Sequence, residues 1–399
     1  MAFNFQYYSP TKVIFGKGTE AEIGNLVLEQ GAKKVLIHYG GKSALKSGLI
    51  DRVKTSLDQS GIAHVELGGV VPNPHIEKVY EGIELCKKEN VDFILAVGGG
   101  SVIDSSKAIA YGLAYNGDVW ELFSKEKQVK ATGCYPVGVI LTISAAGSET
   151  SNSCVITKAS TGCKRSYNDN IARPKFAVMN PELTMTLPDY QTQSGCTDIM
   201  MHTMERYFTN GGNMELTDSL AEALLRTVIK NAKILHSNPD NYDARAEIMW
   251  AGSLAHNDLT GCGNDGGDFA SHMLEHEMGG MFDVTHGAGL AAIWPSWARY
   301  VYKDCLPRFV RYAKNVMEIH VSESDSDEAI ALKGIEAMED FYHSIGMPVN
   351  FKELGIAPTD AQIEEMASSC YNACGGPKGS AKLLDLDDMI QIYKMANVD

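Results

Sequence analysis

Residues 91–110 read VDFILAVGGGSVIDSSKAIA, and the order of residue types along them decides the fold. The apolar run at 91–97 suits a strand buried on both faces, as in a parallel sheet. Gly98, Gly99 and Gly100 follow, and then a stretch whose apolar residues recur at helical spacing. A strand, a glycine turn and a helix in that order are the repeating piece of an α/β sheet. The glycines let the backbone approach a ligand closely, and Ser101 with the first helical N–H groups offers donors to a phosphate. Asp104 is expected in the first turn of that helix, where a carboxylate suits the exposed amides. The pattern is neither G-x-G-x-x-G nor a Walker loop, and a plain strand–helix turn would use the same residues.

The same alternation extends both ways from this stretch. Upstream, VIFG (13–16), KKVLIHY (33–39) and HVEL (64–67) read as strands. Between them lie the helical patterns TEAEIGNLVLEQ, 49–57 and HIEKVYEGIELCKKE. Pro72 and Pro74 make VVPNP a turn, since proline cannot donate to a ladder. Downstream, YPVGVILT (135–142), SCVIT (153–157) and KFAVMN (175–180) supply further strands. Beyond LPDY (187–190) the texture changes to long helical periods at 216–235, 244–259, 327–345 and 360–373. In the first of these Leu216, Leu220, Leu224 and Val228 recur every four residues and are expected on one face. The reading is a Rossmann-like α/β domain with a mostly parallel sheet at 1–190, followed by an all-α domain at 191–399.

Bulk properties narrow the function. The chain of 399 residues is long enough for two cores. No apolar run approaches the ~20 residues of a membrane span, and MAFNFQYYSPTKVIFG has no signal-peptide organisation. The net charge of −15 argues against nucleic acid and anionic membranes as partners. The nine cysteines include no C-x-x-C pair; only Cys370 and Cys374 lie close, four apart. Free thiols in a reducing cytoplasm are expected.

The end of the second strand bears on the nucleotide. It reads His38-Tyr39-Gly40-Gly41-Lys42-Ser43, with no acid until Asp51. NAD-binding domains commonly place an acid there for the ribose hydroxyl, whereas glycine amides, a hydroxyl and a lysine suit a 2′-phosphate. NADP(H) is therefore expected, although Gly40 and Gly41 would also serve as a turn with Lys42 simply solvated.

Two further stretches carry metal chemistry. GCTDIMMHTMERY places Asp198 and His202 one helical turn apart, on one face. SHMLEHEMGGMFDVTHG, residues 271–287, holds His272, His276 and His286. Within it H-x-x-E-H matches the inverted zinc-protease motif with Glu275 as base. That match would leave the glycine loop and the whole α/β half without a purpose.

Taken together, YSPTKVIFGKG, PNP at 72–74, GGGSVIDSSKAIA, AGSET, NPELTMTLP, GCTDIMMHTMERY and HMLEHEMGGMFDVTHG resemble the iron-containing (group III) alcohol dehydrogenases, in their NADP-dependent butanol dehydrogenase-like branch. The resemblance runs nearly end to end and implies a dehydroquinate synthase-like architecture. It implies Asp198, His202, His272 and His286 as metal ligands. His276 would stand free of the metal, facing nicotinamide and substrate as a proton relay. Gly98, Gly99, Gly100 and Ser101 would hold the pyrophosphate. Asn73, Thr142, Ser144 and Lys164 fall where the family contacts the cofactor, and Leu183 and Leu187 where it packs near the nicotinamide. A homodimer is also implied. This chain departs from the family at Lys42, where relatives tend to have a third glycine, at Ala145-Ala146, where a Thr is common, and at Phe269, where Trp is frequent.

The chemistry implied is hydride exchange between NADP(H) and a small alcohol or aldehyde, with Fe(II) or Zn(II) polarising the substrate oxygen. Imidazole and carboxylate donors suit either ion. Met278, Met281, Phe282 and Leu183 hint at an uncharged aliphatic substrate, though such residues are as often plain core. A polyol dehydrogenase, or a metal- and nucleotide-dependent lyase, remains an alternative. The lyase would call for basic residues near the metal, and LTISAAG and EMGGMF supply none. A non-catalytic nucleotide-binding protein with a structural metal is the third reading.

Overall fold

In the computed structural model, which describes residues 2–124, 129–212 and 214–398, the apolar runs of the first half lie side by side. The strands are β1 (Lys12–Phe15), β2 (Lys34–Tyr39), β3 (Ala63–Leu67), β4 (Phe93–Gly98), β5 (Val137–Leu141), β6 (Ser153–Lys158), β7 (Cys163–Asn168) and β8 (Phe176–Met179). Six of them form one sheet in the order β1-β8-β5-β4-β2-β3, with every neighbouring pair parallel. Every residue of the central β4 and β5 is buried, as their unbroken apolar character requires.

Because the strands are parallel, their C-terminal ends share an edge. Tyr39 of β2 pairs with Val97, and Gly98 of β4 pairs with Leu141 of β5. The segments at 40–43, 99–101 and 142–144 therefore leave the sheet next to one another, at the edge where open α/β sheets bind ligands. Helices Ile23–Glu29 and Leu49–Gln59 cover one face, where Val35, Ile37, Phe93, Leu95, Ile140, Phe176 and Val178 form a continuous core.

The strand β7 is absent from the sequence expectation. CKRSYN is mostly polar, and it pairs only with β6, in an antiparallel hairpin apart from the main sheet. A two-stranded ribbon needs little apolar content, so no hydrophobic run announces it.

The second half is helical, with no strand among the described residues. Its longer helices are Asp189–Tyr207, Glu215–Ser237, Tyr242–His256, Ala270–Phe282, His286–Val301, Leu306–Asn315, Asp327–Ser344, Asp360–Cys374 and Leu386–Ala396. Helix Asp189–Tyr207 is buried from Thr192 to its end, so it has neighbours all round. An aromatic cluster anchors this core: Phe208 stacks on Phe309 with ring centroids 4.3 Å apart, beside Trp294, Trp297 and Tyr312. Among the described residues no helix is long and apolar enough to cross a membrane.

Two expectations need correction. Leu216 and Leu220 are exposed, at 67% and 41%, while Leu224 and Val228 are buried. A repeat of four overshoots the 3.6-residue turn by about 40° each time, so the row winds out of the core. The face that does pack is made of Thr217, Ala221, Leu224, Leu225, Val228, Ala232 and Leu235. The division of the chain also differs from 1–190 and 191–399. One unit is Ser9–Thr186, and the other is Leu187–Asp399 together with Met1–Tyr8. The first residues join the helical unit because the Phe3 amide donates to Gly263 O at 2.9 Å. A Cβ at Gly263 or Gly212 would meet Ala2 or Phe3.

Candidate metal centre and glycine loop

Three helices of the second unit bring the metal-type residues together. Asp198 and His202 sit one turn apart on Asp189–Tyr207, His272 is on Ala270–Phe282, and His286 is the first residue of His286–Val301. The segment before His286 is helical to Phe282. Asp283, in a left-handed conformation with φ 52°, then ends the helix. The link that turns His286 inward is thus only residues 283–285.

The side chains converge on one atom. Asp198 Oδ1 lies 3.3 Å from His202 Nε2, 3.6 Å from His272 Nε2 and 3.7 Å from His286 Nε2. Donors tetrahedrally arranged at about 2.0–2.1 Å around a small divalent ion stand roughly 3.3–3.4 Å from each other. The shortest of the observed spacings equals that figure and the other two exceed it slightly. Asp198 Oδ1 and His272 Nε2 are both buried and accept or donate no hydrogen bond. Burying polar atoms this way costs free energy unless something compensates them, and a divalent cation at their centre would do so. The donors thus fit the ion that the sequence implies.

Each imidazole is held from behind at Nδ1. Glu205 contacts His272 Nδ1 through Oε2, and its Oε1 accepts from the His272 backbone N–H at 3.0 Å. Glu275 contacts His286 Nδ1 through Oε2. The partner of His202 Nδ1 is His256 Nδ1, at 2.7 Å, and these helices are further tied by Arg206, which donates to His202 O and Ala255 O at 2.8 and 3.2 Å. Burial and the neighbouring cationic groups push the His202 pKa well below its ordinary value. Burial also acts to lower the His272 pKa, but Glu205 and Asp198 outweigh it and raise the pKa to about 9.

Sequence reasoning missed Glu205 and His256. Glu205 lies three residues after His202 on the face that carries Asp198, which is the only signal that could have found it. Glu275 was weighed as a protease base, but it is fully buried with its carboxylate on His286. His276 is buried beside the quartet, its ring centroid 5.8 Å from His286 and 6.4 Å from His272. Glu275, His276 and His286 form a second group whose donor atoms lie within 4.8 Å. That trio shares His286, whose Nδ1 is the atom facing Glu275.

The glycine loop lies in the first unit. Gly98 ends β4, and its carbonyl accepts from Thr142 N at 3.1 Å. Gly99 caps helix Gly100–Ala114, leaving the N–H groups of Gly100 and Ser101 ahead of the first intrahelical bonds. A Cβ on Gly99 would stand 2.8 Å from Ile143, and one on Gly100 3.2 Å from Ala146. Ser144, on the same segment, is buried with a hydroxyl that makes no hydrogen bond. At the end of β2, Gly41, Lys42 and Ser43 are exposed. Asn73 adopts the left-handed region with φ 52°, and the Pro74 carbonyl beyond it accepts from Thr157 N at 2.8 Å. Lys164, buried, pairs across the hairpin with Thr157. Leu183 packs on the sheet's core, whereas Leu187 opens the helical unit.

Asp104 does not lie in the helix's first turn. It points inward, where Oδ1 accepts from Ser148 Oγ at 2.6 Å and Oδ2 from Val155 N at 2.9 Å. Beside it the fully buried Lys107 donates to Ser148 O, Ser148 Oγ, Ser151 O and Ser153 O within 3.0 Å. This pair fastens the 148–155 segment to the glycine helix, and its carboxylate is occupied by protein donors.

Comparison with known proteins identifies the family. Residues 10–181 match the family model for iron-containing alcohol dehydrogenase, and residues 192–397 match the C-terminal model of the Fe-containing alcohol dehydrogenase family. NADH-dependent butanol dehydrogenase A of Clostridium acetobutylicum is 41% identical over 98% of this chain and 99% of its own. The NADPH-dependent aldehyde reductase YqhD of Escherichia coli is 35% identical over 88% of this chain and 89% of its own. The crystal structure of NADH-dependent butanol dehydrogenase A from Thermotoga maritima superposes with a TM-score of 0.93 at 37% identity, covering 98% of both chains. With both halves matched in order around a carboxylate ringed by imidazoles, this chain belongs to the iron-containing alcohol dehydrogenase family.

Proposed function

We propose that the protein interconverts small primary alcohols and their aldehydes. The hydride carrier is NADP(H), and Asp198, His202, His272 and His286 hold a divalent ion, Fe(II) or Zn(II). The observation that carries this reading is the approach of three Nε2 atoms to the buried Asp198 Oδ1 at 3.3–3.7 Å. When bound, such an ion supplies Lewis acidity toward an alcohol or carbonyl oxygen, and the nicotinamide supplies or accepts the hydride. The residues of the chain do the rest. The outer partners on Nδ1 keep the Nε2 lone pairs turned inward, and Asp198, His202 and His272 are buried while His286 keeps an open side. Oxidation of the alcohol also releases the hydroxyl proton, and the imidazole of His276 stands beside the quartet to take it up and pass it on.

The NADP(H) assignment rests on the exposed Gly41, Lys42 and Ser43 at the end of β2 and on the absence of an acid before Asp51. Relatives named for NADH and for NADPH both align along most of the chain, so the coenzyme needs its own measurement. Cytoplasmic residence accords with nine free thiols, and a homodimer is expected from the family.

One set of assays tests the reading. Wild-type protein should consume NADPH at 340 nm when butanal is supplied, with a kcat/KM above that for NADH. His272→Ala should lose bound metal and, with it, more than ~10²-fold of the activity. His276→Ala should keep its metal while kcat falls by about 10²–10⁴-fold. Metal lost from His276→Ala would transfer the ligand role to the Glu275, His276, His286 trio. NADH used as well as NADPH would remove the coenzyme assignment.

A further inference from the structure

We infer that Glu205 is a positioning residue that sets the tautomer of His272 and so makes its Nε2 available to a cation. The inference rests on the metal reading above and goes beyond it to a group that touches neither ion nor substrate.

Glu205 lies on helix Asp189–Tyr207, seven residues after Asp198 and three after His202, on the face that carries both. It is 1% exposed, and its carboxylate reaches across to the helix of His272. There it meets two donors of one residue: Oε1 takes the backbone N–H of His272 at 3.0 Å, and Oε2 takes the ring at Nδ1. Its own carbonyl accepts from Asp268 N at 2.7 Å, two residues before that helix begins. Main chain and side chain thus clamp the start of Ala270–Phe282 to the helix bearing Asp198 and His202.

The hydrogen-bond inventory makes the residue type specific. A carboxylate accepts at both oxygens, so it matches a backbone N–H and an Nδ1–H together. With one proton fixed on Nδ1, His272 can give up the other to an incoming cation and present a bare Nε2 toward Asp198. A glutamine of the same shape has one oxygen and one NH₂. If the oxygen serves the backbone N–H, the NH₂ donates to Nδ1 and drives the ring proton to Nε2, the atom that must stay bare. Turned over, the NH₂ faces the backbone N–H, donor against donor. Neither orientation satisfies both sites, and outer partners of this kind are commonly worth 10–100-fold in metal affinity. Aspartate keeps two acceptors and the charge but falls one methylene short of the ring.

The experiment is a metal titration of the full-length chain after removal of bound ions with a chelator. Zn(II) affinity would be measured by competition with a chromophoric chelator, and Co(II) would report ligand geometry through its visible absorption band. Wild-type protein should take up one equivalent. Glu205→Gln should bind Zn(II) 10–100-fold more weakly, with a displaced Co(II) band. Glu205→Asp should also bind at least tenfold more weakly, and it decides the matter should Glu205→Gln not fold. In a His272→Ala background, Glu205→Gln should leave the remaining affinity unchanged. Wild-type affinity in Glu205→Gln would overturn the tautomer argument. Wild-type affinity in Glu205→Asp would show that charge alone suffices, and would overturn the positioning role. If His272→Ala by itself bound Zn(II) as wild type does, the ligand assignment would fail, and the inference with it.

Discussion

His38 lies at 0% exposure in β2, its Nδ1 donating to Leu67 O at 2.8 Å and its Nε2 accepting from Ser105 Oγ at 2.9 Å. Burial lowers its pKa from the ordinary 6.5 to about 4. The folded state therefore resists a proton that the unfolded state accepts. The resulting stability is present above about pH 6.5 and is lost as pH falls toward 4, with a value on the order of 3 kcal/mol. His38→Gln keeps an acceptor for Ser105 and removes the titration. Its melting temperature should fall less steeply than that of wild type between pH 6.5 and 4, while lying below wild type at pH 7.5. Parallel pH profiles would refute the assignment. At this scale the sequence was informative where spacing carries chemistry: Asp198 with His202 was readable as a turn-spaced pair, and His272, His276 and His286 as one cluster. It was silent on direction. Nothing in DSSK shows that Asp104 and Lys107 turn inward to hold Ser148 and its neighbours, because that depends on the 148–155 segment folding back over the helix. The same holds for Glu205, whose partner lies 67 positions away.

The metal quartet depends on how closely two helices approach. A Cβ added at Gly287 would stand 1.9 Å from Ser194 O, a backbone atom one turn before Asp198 on the neighbouring helix. Only the lack of a side chain allows His286–Val301 to press against Asp189–Tyr207 here, and this contact places His286 near Asp198. Gly287→Ala should part the two helices, costing about 1–3 kcal/mol of overpacking or more and loosening His286. Calorimetry should show a melting temperature lower by several degrees, and metal analysis should show less than one equivalent retained. Full occupancy in a stable variant would show that the approach is not needed. Elements with continuous apolar runs, β2, β4 and β5, were legible because burial on both faces leaves no other composition. Less legible were β7, which pairs outside the sheet, and the packed face of Glu215–Ser237, where a four-residue repeat drifts off the true helical period.

In the whole molecule the metal donors and the glycine loop lie in different units. The quartet belongs to the unit of Leu187–Asp399, and the glycine loop to Ser9–Thr186. A ligand stabilises the fold that builds its site, by an amount that grows with the logarithm of its free concentration over Kd. Chelating the metal should therefore speed amide hydrogen exchange in helices Asp189–Tyr207 and Ala270–Phe282 and at the start of His286–Val301, while the amides of β2, β4 and β5 keep their protection. Equal loss of protection in both units would contradict this division. The α/β-then-α order was legible from the change of texture near residue 190. The membership of the first residues was not, since seven or eight positions carry no period to read.

That membership has a consequence for synthesis. Met1–Tyr8 is made before the sheet unit, yet it joins a unit whose remaining residues begin at Leu187. The sheet unit of Ser9–Thr186 is thus interposed within the helical one. During translation the leading segment must wait, unpartnered, through the making of the sheet unit and on until the loop around Gly263 exists to accept the Phe3 amide. A substitution that loosens Phe3 from this loop would accordingly burden the metal-bearing half, not the sheet that directly follows it in the chain.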